Sequence, residues 1–537
     1  MDPSNTRSSP GVTIRGLQPT RFARESHQHS VAHWLIMIAT LWLSAWLLFL
    51  NLDARGLWFD EIIYVELERQ DLGSILNALT VDFADHHPPA YHFAGHVWMR
   101  LIGETDFAVR SLSVFLGILP LPLVYQIGRR LAGVRLGRVA ALLLAVSPLA
   151  ILFTRIARYY ALTTALGLLS TLLFLRLCHR PQRRRWVAYV LASALLAYTD
   201  YLAISLLIGQ GLLALLTSRR VKGFLRRWFT SQLAIALLFL PWFPSFIKQA
   251  TSASQWTPAD LAFSPIGYVL KLVYPLYAFS VGATLFPWEP VAIAGGIVLF
   301  VLAVLGLIFM ARNGGPWGSH LRLMVALIGV PFTLIFLTVT FVTPLVPFIA
   351  IPDHMVFVVP FFCLLFAAGW LHLRRRSLQL GMGLIVLATY AGSFNNYLAG
   401  SNFHNPVYAV PIGQAVDWVI AHTQPGDIIT GKRDTGFAYH YDKRSHTAPY
   451  HEIGSEVYSL VDHLQPSRVW VVSFGRDRTL AGDDTPMFVQ FLLGRGYSLS
   501  LSQGYVEQDQ TYRQLKERLL HRPAYRYKLE AQLYTRR

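Results

Sequence analysis

Two acidic motifs in the first hundred residues carry the side chains best suited to chemistry. Asp60 and Glu61 are adjacent in the segment WFDE, and Asp85 opens the segment DHHPP. A carboxylate acts as a general base when it takes the proton of a hydroxyl group whose oxygen attacks a substrate. We therefore take Asp60, Glu61 and Asp85 as candidate catalytic residues.

The prolines of the second motif indicate how its polar side chains are held. The Pro-Pro step at residues 88–89 cannot continue a helix and favours the start of the next one. This break would fix Asp85 and the two histidines after it at a point that faces back toward Asp60. For Asp60 an alternative stays open, because aspartate is a favoured N-cap and a helix beginning at Glu61 would use it in that way.

Carboxylate and histidine side chains also bind metals, so a divalent metal ion is a second open alternative. Its candidate ligands are Glu61, Asp85 and His87, with His86 beside them. Residues that are adjacent in sequence usually point in different directions, which counts against a shared set of ligands. The sequence therefore identifies no cofactor, and a divalent metal ion is kept as an alternative.

The composition is that of a membrane protein. Of the 537 residues, 14% are charged and 53% are hydrophobic, whereas soluble proteins carry roughly 25% charged residues. Apolar runs near the length that crosses a bilayer as a helix recur between residues 31 and 394. We predict eleven membrane-spanning helices, at 33–52, 110–127, 138–154, 159–175, 186–199, 201–217, 228–247, 291–310, 323–342, 355–373 and 377–394.

The net charge of +17 indicates membrane topology and not a nucleic-acid partner. Five short loops between the predicted spans hold 19 Lys and Arg residues and no acidic residue. The positive-inside rule places these loops in the cytoplasm. The tail 1–32 is then cytoplasmic, residues after 397 are extracytoplasmic, and the protein is expected in a plasma membrane, the inner membrane if the cell is bacterial.

The first external loop, residues 53–109, has the opposite charge, with ten acidic residues against three arginines. Its part 88–103 is apolar, but a crossing there would move the later basic loops outside, so we predict a segment lying in the membrane interface. His92 and His96 share a helix face there and are expected to pack. Loop 248–290 holds aromatic side chains that either stack on substrate or anchor the protein at the interface: Trp256, Tyr268, Tyr274, Tyr277 and Trp288.

After residue 397 the pattern changes to that of a small α/β domain, predicted as residues 398–537. Alternating β-like and helical stretches are typical of this class. The β-like runs are 427–430, 468–474 and 525–534, and the helical ones 411–422 and 509–520. Its histidines His440, His446 and His451 match no metal-binding spacing, so we expect surface positions for them.

Four short motifs in order resemble one group of membrane enzymes. They are WFDE at 58–61, DHHPP at 85–89, Gly103 followed by Arg110, and Ser147-Pro148 followed by ARYYAL at 157–162. This set resembles the polyprenyl-phosphate-sugar-dependent glycosyltransferases of the GT-C superfamily. The nearest type is the bacterial family-39 group, related to protein O-mannosyltransferases and lipid A aminoarabinose transferases. The resemblance covers about residues 33–400.

The resemblance implies both a fold and a reaction. The fold is an α-helical polytopic membrane protein of the GT-C type, with about 11 transmembrane helices in a catalytic domain at 33–397 and a small C-terminal α/β extracytoplasmic domain. The reaction is inverting transfer of a sugar from a polyprenyl-phosphate donor to a lipid, glycan or protein acceptor. Asp60 matches the general base of the family, with Glu61 and Asp85 as its acidic companions.

The substrate-binding candidates are Arg110, Arg158 and Tyr160, which the resemblance implies, together with His86, His87 and His354. Arginine suits a phosphate because its planar fork binds oxygens in pairs. Arg158 is the first candidate for this contact, with Arg110 and Arg155 behind it. Ile156, Asp200 and His354 depart from the family pattern where donor or acceptor would bind, so the sugar and the acceptor stay open.

A polytopic lipid or sugar transporter, or flippase, without chemistry is the alternative from a different class. Transporters usually carry internal repeats and polar residues at mid-membrane depth. This sequence shows no clear repeat, and its acidic residues cluster in one long external loop. The sequence therefore favours the enzyme over the transporter.

Overall fold

The chain folds as a bundle of helices followed by a small mixed sheet. The computed structural model describes residues 31–218, 223–253, 265–315, 318–342, 348–401, 403–405, 408, 411–431, 436–445, 447–476, 485–506, 518 and 527–536. Most of the predicted cytoplasmic tail lies outside these residues. So do Trp256, His446 and nearly all of the predicted helix 509–520.

The first half of the chain is helical. Its helices are α1 Val31–Phe49, α2 Phe59–Glu68, α3 Leu72–Asn77, α4 Ala90–Ile102, α5 Asp106–Ile118, α6 Pro120–Ala132, α7 Val134–Val146, α8 Pro148–Thr154, α9 Tyr160–His179, α10 Arg183–Ala197, α11 Ile204–Ser218 and α12 Phe224–Phe239. A π-helical turn, Ala78–Asp82, continues α3 and leads toward Asp85.

The helical part continues to residue 399. Its helices are α13 Phe243–Ala253, α14 Pro265–Val281, α15 Pro290–Arg312, α16 His320–Met324, α17 Val330–Leu337, α18 Val359–His372 and α19 Arg376–Ala399. A two-residue hairpin, β1 Gly314–Gly315 and β2 Gly318–Ser319, separates α15 from α16. The irregular segments are 3-10 turns at Leu240–Trp242 and Phe348–Val358 and π-helical turns at Val325–Gly329 and Thr338–Val342.

The described chain is that of a multi-pass membrane protein. Seven helical stretches are long and apolar enough to cross a membrane: Asp106–Ala132, Tyr160–His179, Phe224–Thr251, Pro290–Arg312, His320–Val342, Ala350–His372 and Arg376–Ala399. The bent pair α7 and α8 would make an eighth, and α1, α11 and α14 are shorter apolar helices. A helix lies at each of the eleven predicted spans, and the number that crosses the bilayer stays a prediction.

The sequence did not predict α14, which lies in the expected external loop 248–290. Its 17 residues are largely apolar, but Lys271 and Pro275 interrupt the run that would have indicated a helix. Lys271 is buried and donates a hydrogen bond to the Val339 carbonyl oxygen at 2.7 Å. Because this partner offsets the cost of burying an ammonium group, the interrupted segment stays helical against its neighbours.

A sharp bend between α7 and α8 positions part of the site. The two helices meet at 59°, where Ser147 is extended and Pro148 occupies the first turn of α8. The residue before a proline is disfavoured in helical conformation, and proline is favoured at a helix start, so the Ser-Pro step explains the break. The short α8 then places Arg155–Tyr159 beside the loop 53–109.

The C-terminal α/β region, residues 411–536, contains a five-stranded sheet. Its elements are α20 Ile412–His422, β3 Ile428–Gly431, α21 Phe437–Arg444, β4 Tyr450–Glu452, α22 Ser455–Leu464, β5 Arg468–Arg476, α23 Thr485–Gly494, β6 Tyr497–Val506 and β7 Tyr527–Arg536. The strand order is β4-β3-β5-β7-β6, with β3 parallel to β4 and β5 and with β7 antiparallel to its neighbours. The predicted strand runs correspond to β3, β5 and β7.

Candidate active site

Asp60 and Glu61 lie in the first turn of α2. The helix begins at Phe59 with the extended Trp58 as its N-cap, and the Trp58 backbone N–H donates to Glu61 Oε2 at 3.1 Å. A carboxylate three residues after the N-cap commonly satisfies the open backbone donor in this way. The alternative in which Asp60 caps a helix beginning at Glu61 is therefore wrong, and the Asp60 side chain is available for other contacts.

Glu61 is fully buried and paired with Arg110. Arg110 Nε donates to Glu61 Oε1 at 2.8 Å and Nη2 donates to Oε2 at 2.6 Å, while the Ala157 N–H donates to Oε1 at 2.8 Å. The other Arg110 donors bind backbone carbonyl oxygens of the loop after α1: Leu52, Arg55 and Gly56. This pair joins the start of α2, the loop after α1, α5 and the turn after α8.

Asp60 makes a different and more open ion pair. Its Oδ2 accepts a hydrogen bond from Arg158 Nη1 at 2.5 Å, and its side chain is 29% exposed whereas that of Glu61 is 0% exposed. Arg158 Nη1 also donates to the Tyr160 hydroxyl at 3.1 Å. Within the described part of the chain, the buried Nε of Arg158 has no hydrogen-bond partner. Arg158 therefore retains donor capacity for an anion.

Arg158 keeps its charge although it is buried. Its guanidinium carbon lies 5.1 Å from the centre of the Tyr64 ring and 5.5 Å from the centres of the Tyr159 and Tyr160 rings. Burial lowers the pKa of Arg158, but the charge of Asp60 and the nearby tyrosine hydroxyls outweigh it and raise the pKa well above its ordinary value. A permanently charged group thus stands beside the exposed carboxylate.

Arg155, a further candidate for phosphate binding, uses its donors in contacts within the protein. Its Nη1 donates to the Leu47 carbonyl oxygen at 2.9 Å, and its Nη2 donates to the Asn51 carbonyl oxygen at the same distance. Its Nε donates to the Tyr397 hydroxyl at 2.9 Å. Cations at a helix C-terminus satisfy the last carbonyl groups of that helix. Arg155 therefore fastens the end of α1 to α19.

Asp85 lies in a buried cluster with the histidines around it. Its Oδ1 accepts hydrogen bonds from the His86 N–H and from His87 Nδ1, both at 2.9 Å, and its Oδ2 lies 3.1 Å from His92 Nε2. Burial would raise the pKa of Asp85, but His87 and His92 together hold it well below its usual range. Phe83, in a left-handed conformation at φ 51°, turns the chain into this cluster.

His92 bridges two buried carboxylates, which the sequence analysis did not foresee. Its Nδ1 lies 3.5 Å from Glu68 Oε1 on the side opposite Asp85. Burial alone would lower the pKa of His92, but these two carboxylates raise it to about 9, whereas burial raises the pKa of Glu68 to about 7. A Cβ at Gly95 would stand 2.1 Å from Glu68 Oε2, so glycine admits this carboxylate to α4. His92 was expected only to pack, because its partner Glu68 lies on another helix.

Asp200 approaches the same cluster from the turn between α10 and α11. It is buried, its Oδ1 accepts the Leu202 N–H at 2.9 Å, and burial raises its pKa to about 6 although the charge of His87 opposes the rise. The His87 ring packs on Tyr159 with 4.2 Å between ring centres. Asp200 departs from the family pattern in sequence and is not among the predicted site residues.

The 3-10 turn Phe348–Val358 brings Asp353 and His354 within electrostatic range of the site. Asp353 interacts electrostatically with Asp60 and Arg158, and His354 interacts with His87 and Arg158. Tyr408, from the segment after α19, packs edge-on against Trp58 with 4.8 Å between ring centres. His354 is thus within electrostatic range of the Asp85 group, through His87, and of the Asp60 group, through Arg158. Nothing in the sequence pattern indicated Asp353 or Tyr408.

The residues proposed as metal ligands do not form a shared set. Glu61 is occupied by Arg110, whereas Asp85 and His87 bond to each other. In the parts of the chain that the structure describes, no three His, Cys, Asp or Glu side chains are grouped so that they could hold a metal ion. A divalent ion at Glu61, Asp85 and His87 is therefore not supported by this geometry.

This chain is similar to known proteins in sequence profile and in fold. The sequence profile described as dolichyl-phosphate-mannose-protein mannosyltransferase matches residues 86–244. The structure of ArnT from Cupriavidus metallidurans bound to undecaprenyl phosphate superposes with a TM-score of 0.57 at 14% identity, over 93% of this chain and 98% of that one. The same protein in its apo state gives the same values. The chain has the GT-C fold.

Other comparisons are more distant. The archaeal oligosaccharyltransferase AglB from Archaeoglobus fulgidus, in complex with an inhibitory peptide and a dolichol-phosphate, gives a TM-score of 0.48 at 12% identity over 85% of this chain and 70% of that one. No curated protein sequence matches the chain. The GT-C fold confirms the expected class of helical membrane protein, and the roles of individual residues rest on the contacts described above.

Proposed function

We propose that this GT-C protein is a membrane glycosyltransferase that moves a sugar from a polyprenyl-phosphate donor to an acceptor hydroxyl group. The observation that carries the proposal is the Asp60–Arg158 ion pair, in which a partly exposed carboxylate stands beside a buried guanidinium with spare donor capacity. The carboxylate can accept a hydroxyl proton, and the guanidinium can bind a phosphate. Proton removal and phosphate binding are thus assigned to two adjacent side chains.

Donor binding is the first step of the proposed reaction. The phosphate of the sugar donor accepts hydrogen bonds from Arg158 and competes with Asp60 for that cation. Because a phosphate oxygen and a carboxylate oxygen seek the same N–H groups, donor binding loosens Asp60 from Arg158. His86, His87 and His354 are proposed to line the donor headgroup, and Tyr160 to orient Arg158 through its hydroxyl contact.

Transfer follows by direct displacement. Asp60 takes the proton of the acceptor hydroxyl, the acceptor oxygen forms a bond to the anomeric carbon, and the bond from that carbon to the phosphate oxygen breaks. Polyprenyl phosphate leaves with the bonding electrons, so the anomeric configuration inverts. Arg158 stabilises the negative charge that grows on the leaving phosphate.

Glu61, Arg110 and Asp85 are proposed to act by holding the site in shape. Glu61 and Arg110 form hydrogen bonds with each other, and Arg110 also donates to the surrounding backbone. Their hydrogen-bonding groups are therefore already used and are not offered to a substrate. Asp85 holds His87 and His92 and thereby sets one wall of the site. This proposal replaces the catalytic role first considered for Glu61 and Asp85 with a positioning role, and it moves Arg110 out of the substrate-binding set.

The site is proposed to face the extracytoplasmic side of a plasma membrane, with the N-terminal tail in the cytoplasm. The basic loops support this orientation through the positive-inside rule. The lipid tail of the donor would remain in the bilayer while its sugar phosphate reaches the external loops. Reporter fusions at residue 318 and at the C-terminus, on opposite sides in this topology, test it directly.

The experiment measures transfer of radiolabelled sugar from a panel of polyprenyl-phosphate sugars into the lipid, glycan and protein fractions of membranes. Wild type is compared with Asp60→Asn and with Asp53→Asn, which changes an exposed carboxylate in the same loop. We expect transfer by wild type and Asp53→Asn and none by Asp60→Asn. A parallel reaction with a chelator measures dependence on a divalent ion.

Each other outcome has a distinct meaning. Equal transfer by Asp60→Asn and wild type would remove Asp60 from the chemistry. Labelled donor that crosses the membrane without transfer, in wild type and both variants alike, would overturn the enzyme proposal in favour of a transporter or flippase. The fraction that takes up label identifies the acceptor class, and the donor that is consumed identifies the sugar.

A further inference from the structure

The helix α21 of the C-terminal α/β region lies directly on the first external loop. His440, the fourth residue of α21, is buried, so the surface position predicted for it is wrong. Its Nε2 is 2.7 Å from the Leu57 carbonyl oxygen. Because a carbonyl oxygen only accepts, His440 Nε2 carries the proton and donates it. Leu57 precedes Trp58, the N-cap of α2, by one residue and Asp60 by three.

The neighbours of His440 on α21 contact the same loop. The Tyr439 ring is buried among apolar side chains that include Leu57, Ile62 and Val65. Lys443 Nζ donates to Asp106 Oδ1 at 2.8 Å, at the start of α5. The Arg69 guanidinium, which follows α2, lies over the Tyr439 ring at 5.4 Å. One face of α21 therefore touches both ends of α2.

The His440 ring also fits tightly against the backbone beside Leu57. A Cβ added to Gly56 would lie 2.7 Å from His440 Cε1, so only glycine admits the ring at this distance. The Gly56 carbonyl oxygen accepts a hydrogen bond from Arg110 Nη2 at 3.0 Å. Residues 56 and 57 are thus held from one side by α21 and from the other by the arginine that pairs with Glu61.

We propose that His440 is a positioning residue, through which the C-terminal α/β region holds the Gly56-Leu57 backbone and so sets the position of Asp60. The hydrogen bond fixes the chain immediately before the N-cap of α2, and the first turn of the helix follows rigidly from it. A displacement of about 1 Å at a reacting group can lower a rate about 100-fold. The inference rests on the proposed function for its effect on rate, and on contacts alone for its effect on loop order.

The test uses the full-length protein in detergent or nanodiscs and four forms of the chain. His440→Leu removes the donor, and His440→Gln can restore an N–H close to the position of Nε2. His422→Leu is the matched control, because the ring of this exposed histidine of the same region bonds to the Trp418 carbonyl oxygen of its own helix. The His422 backbone carbonyl oxygen, which accepts from Arg468, is kept in the variant. Wild type is the reference.

Two measurements are made on each form. Hydrogen exchange read by mass spectrometry reports the protection of the peptide spanning residues 52–62, and transfer kinetics report kcat and the donor KM. For His440→Leu we expect at least about tenfold faster exchange in that peptide. We also expect kcat to fall roughly 10- to 100-fold with the donor KM changed less than about twofold, since Arg158 is untouched. His440→Gln should recover most of both, and His422→Leu should match wild type.

The results separate this inference from the proposed function. Unchanged exchange in His440→Leu, or an equal loss of protection throughout the chain, would overturn the positioning role whatever the activity. Faster exchange confined to residues 52–62, together with no transfer by wild type, would support the docking contact and count against the proposed enzyme. A rise in donor KM at constant kcat would place the effect of His440 on binding and contradict its role toward Asp60.

Discussion

Two neighbouring carboxylates at the start of α2 form ion pairs of opposite character. Glu61 faces inward, where Arg110 and two backbone N–H groups take up both of its oxygens and no part of its side chain is exposed. Asp60 faces outward, is 29% exposed and meets Arg158 through one guanidinium nitrogen. The same chemical pair thus occurs in a sealed form and in an open form one residue apart.

The difference shows how structure assigns roles to similar side chains. A buried charge that loses its partner is costly, so a sealed pair is held in place and contributes to stability. An open pair with spare donor capacity can exchange one anion for another, which is what donor binding requires. Exposure and unused hydrogen-bond capacity, more than residue type, therefore distinguish the proposed catalytic pair from the structural one.

The largest expected effect is on the open pair. Asp60→Asn should lower kcat for transfer by about 100- to 10,000-fold, because removal of a general base costs this much. Its melting temperature in detergent should fall less than that of Glu61→Gln, since the Asp60 carboxylate is 29% exposed and the amide oxygen of asparagine can still accept the hydrogen bond from Arg158. A variant that lost stability but kept its rate per folded molecule would contradict the comparison.

The sealed pair should show the reverse behaviour. Glu61→Gln leaves the Arg110 guanidinium buried without a counter-charge, which costs about 3–5 kcal/mol of unfolding free energy. Thermal unfolding in detergent, followed by tryptophan fluorescence, measures this loss, and Glu66→Gln on the exposed side of α2 is the control. Full stability of Glu61→Gln would show that the pair is not structural.

Arginine and lysine should be unequal at position 158. Arg158→Lys keeps the charge but loses the planar fork, so the donor phosphate is bound through fewer hydrogen bonds. A hydrogen bond to a charged group contributes about 1.5–3 kcal/mol, which predicts a fall in kcat/KM for the donor of roughly 10- to 100-fold. Arg155→Lys is the comparison and should lower the melting temperature while leaving the donor KM near that of wild type.

The smallest effect is a dependence of stability on pH at the bridge between Glu68 and His92. Both groups have raised pKa values in the folded protein, about 7 for Glu68 against an ordinary 4.5 and about 9 for His92 against an ordinary 6.5. The stability that they contribute is complete below the ordinary values and is lost as the pH rises through the folded values. The melting temperature should therefore fall by roughly 2–4 °C between pH 6.5 and 9.5.

Substitution of the bridging histidine tests that pH dependence. His92→Gln removes one of the two titrations, so the slope of melting temperature against pH should become shallower than in wild type. His422→Gln, at an exposed histidine, should keep the wild-type slope. Parallel slopes in wild type and His92→Gln would show that other groups set the alkaline loss of stability.

The sequence was most informative about composition and periodicity. Long apolar runs predicted the helical membrane class, which the GT-C fold confirms, and alternation after residue 400 predicted a sheet that the structure contains. It was least informative where a polar residue interrupts a helix. Lys271 obscured α14 because its partner, the Val339 carbonyl oxygen, lies 68 residues further along the chain.

The site shows the same division. The motifs at 58–61 and 85–89 indicated the first-loop acids from residue types alone, but the types of Arg110, Arg155 and Arg158 did not distinguish their roles. Only the fold placed Arg110 against Glu61, Arg155 against the end of α1 and Arg158 against Asp60. Likewise, only the fold gave His92 its second carboxylate and brought His440 to Leu57.

The sequence by itself determined that this chain enters a membrane many times and carries acidic side chains in one long loop. These properties follow from local composition, because bilayer crossing and charge depend on short stretches of chain. Which carboxylate is sealed and which is open was decided by the tertiary structure, since the partners lie 49 residues from Glu61 and 98 residues from Asp60. Burial and hydrogen-bond capacity are properties of that packing, and no local pattern specifies them.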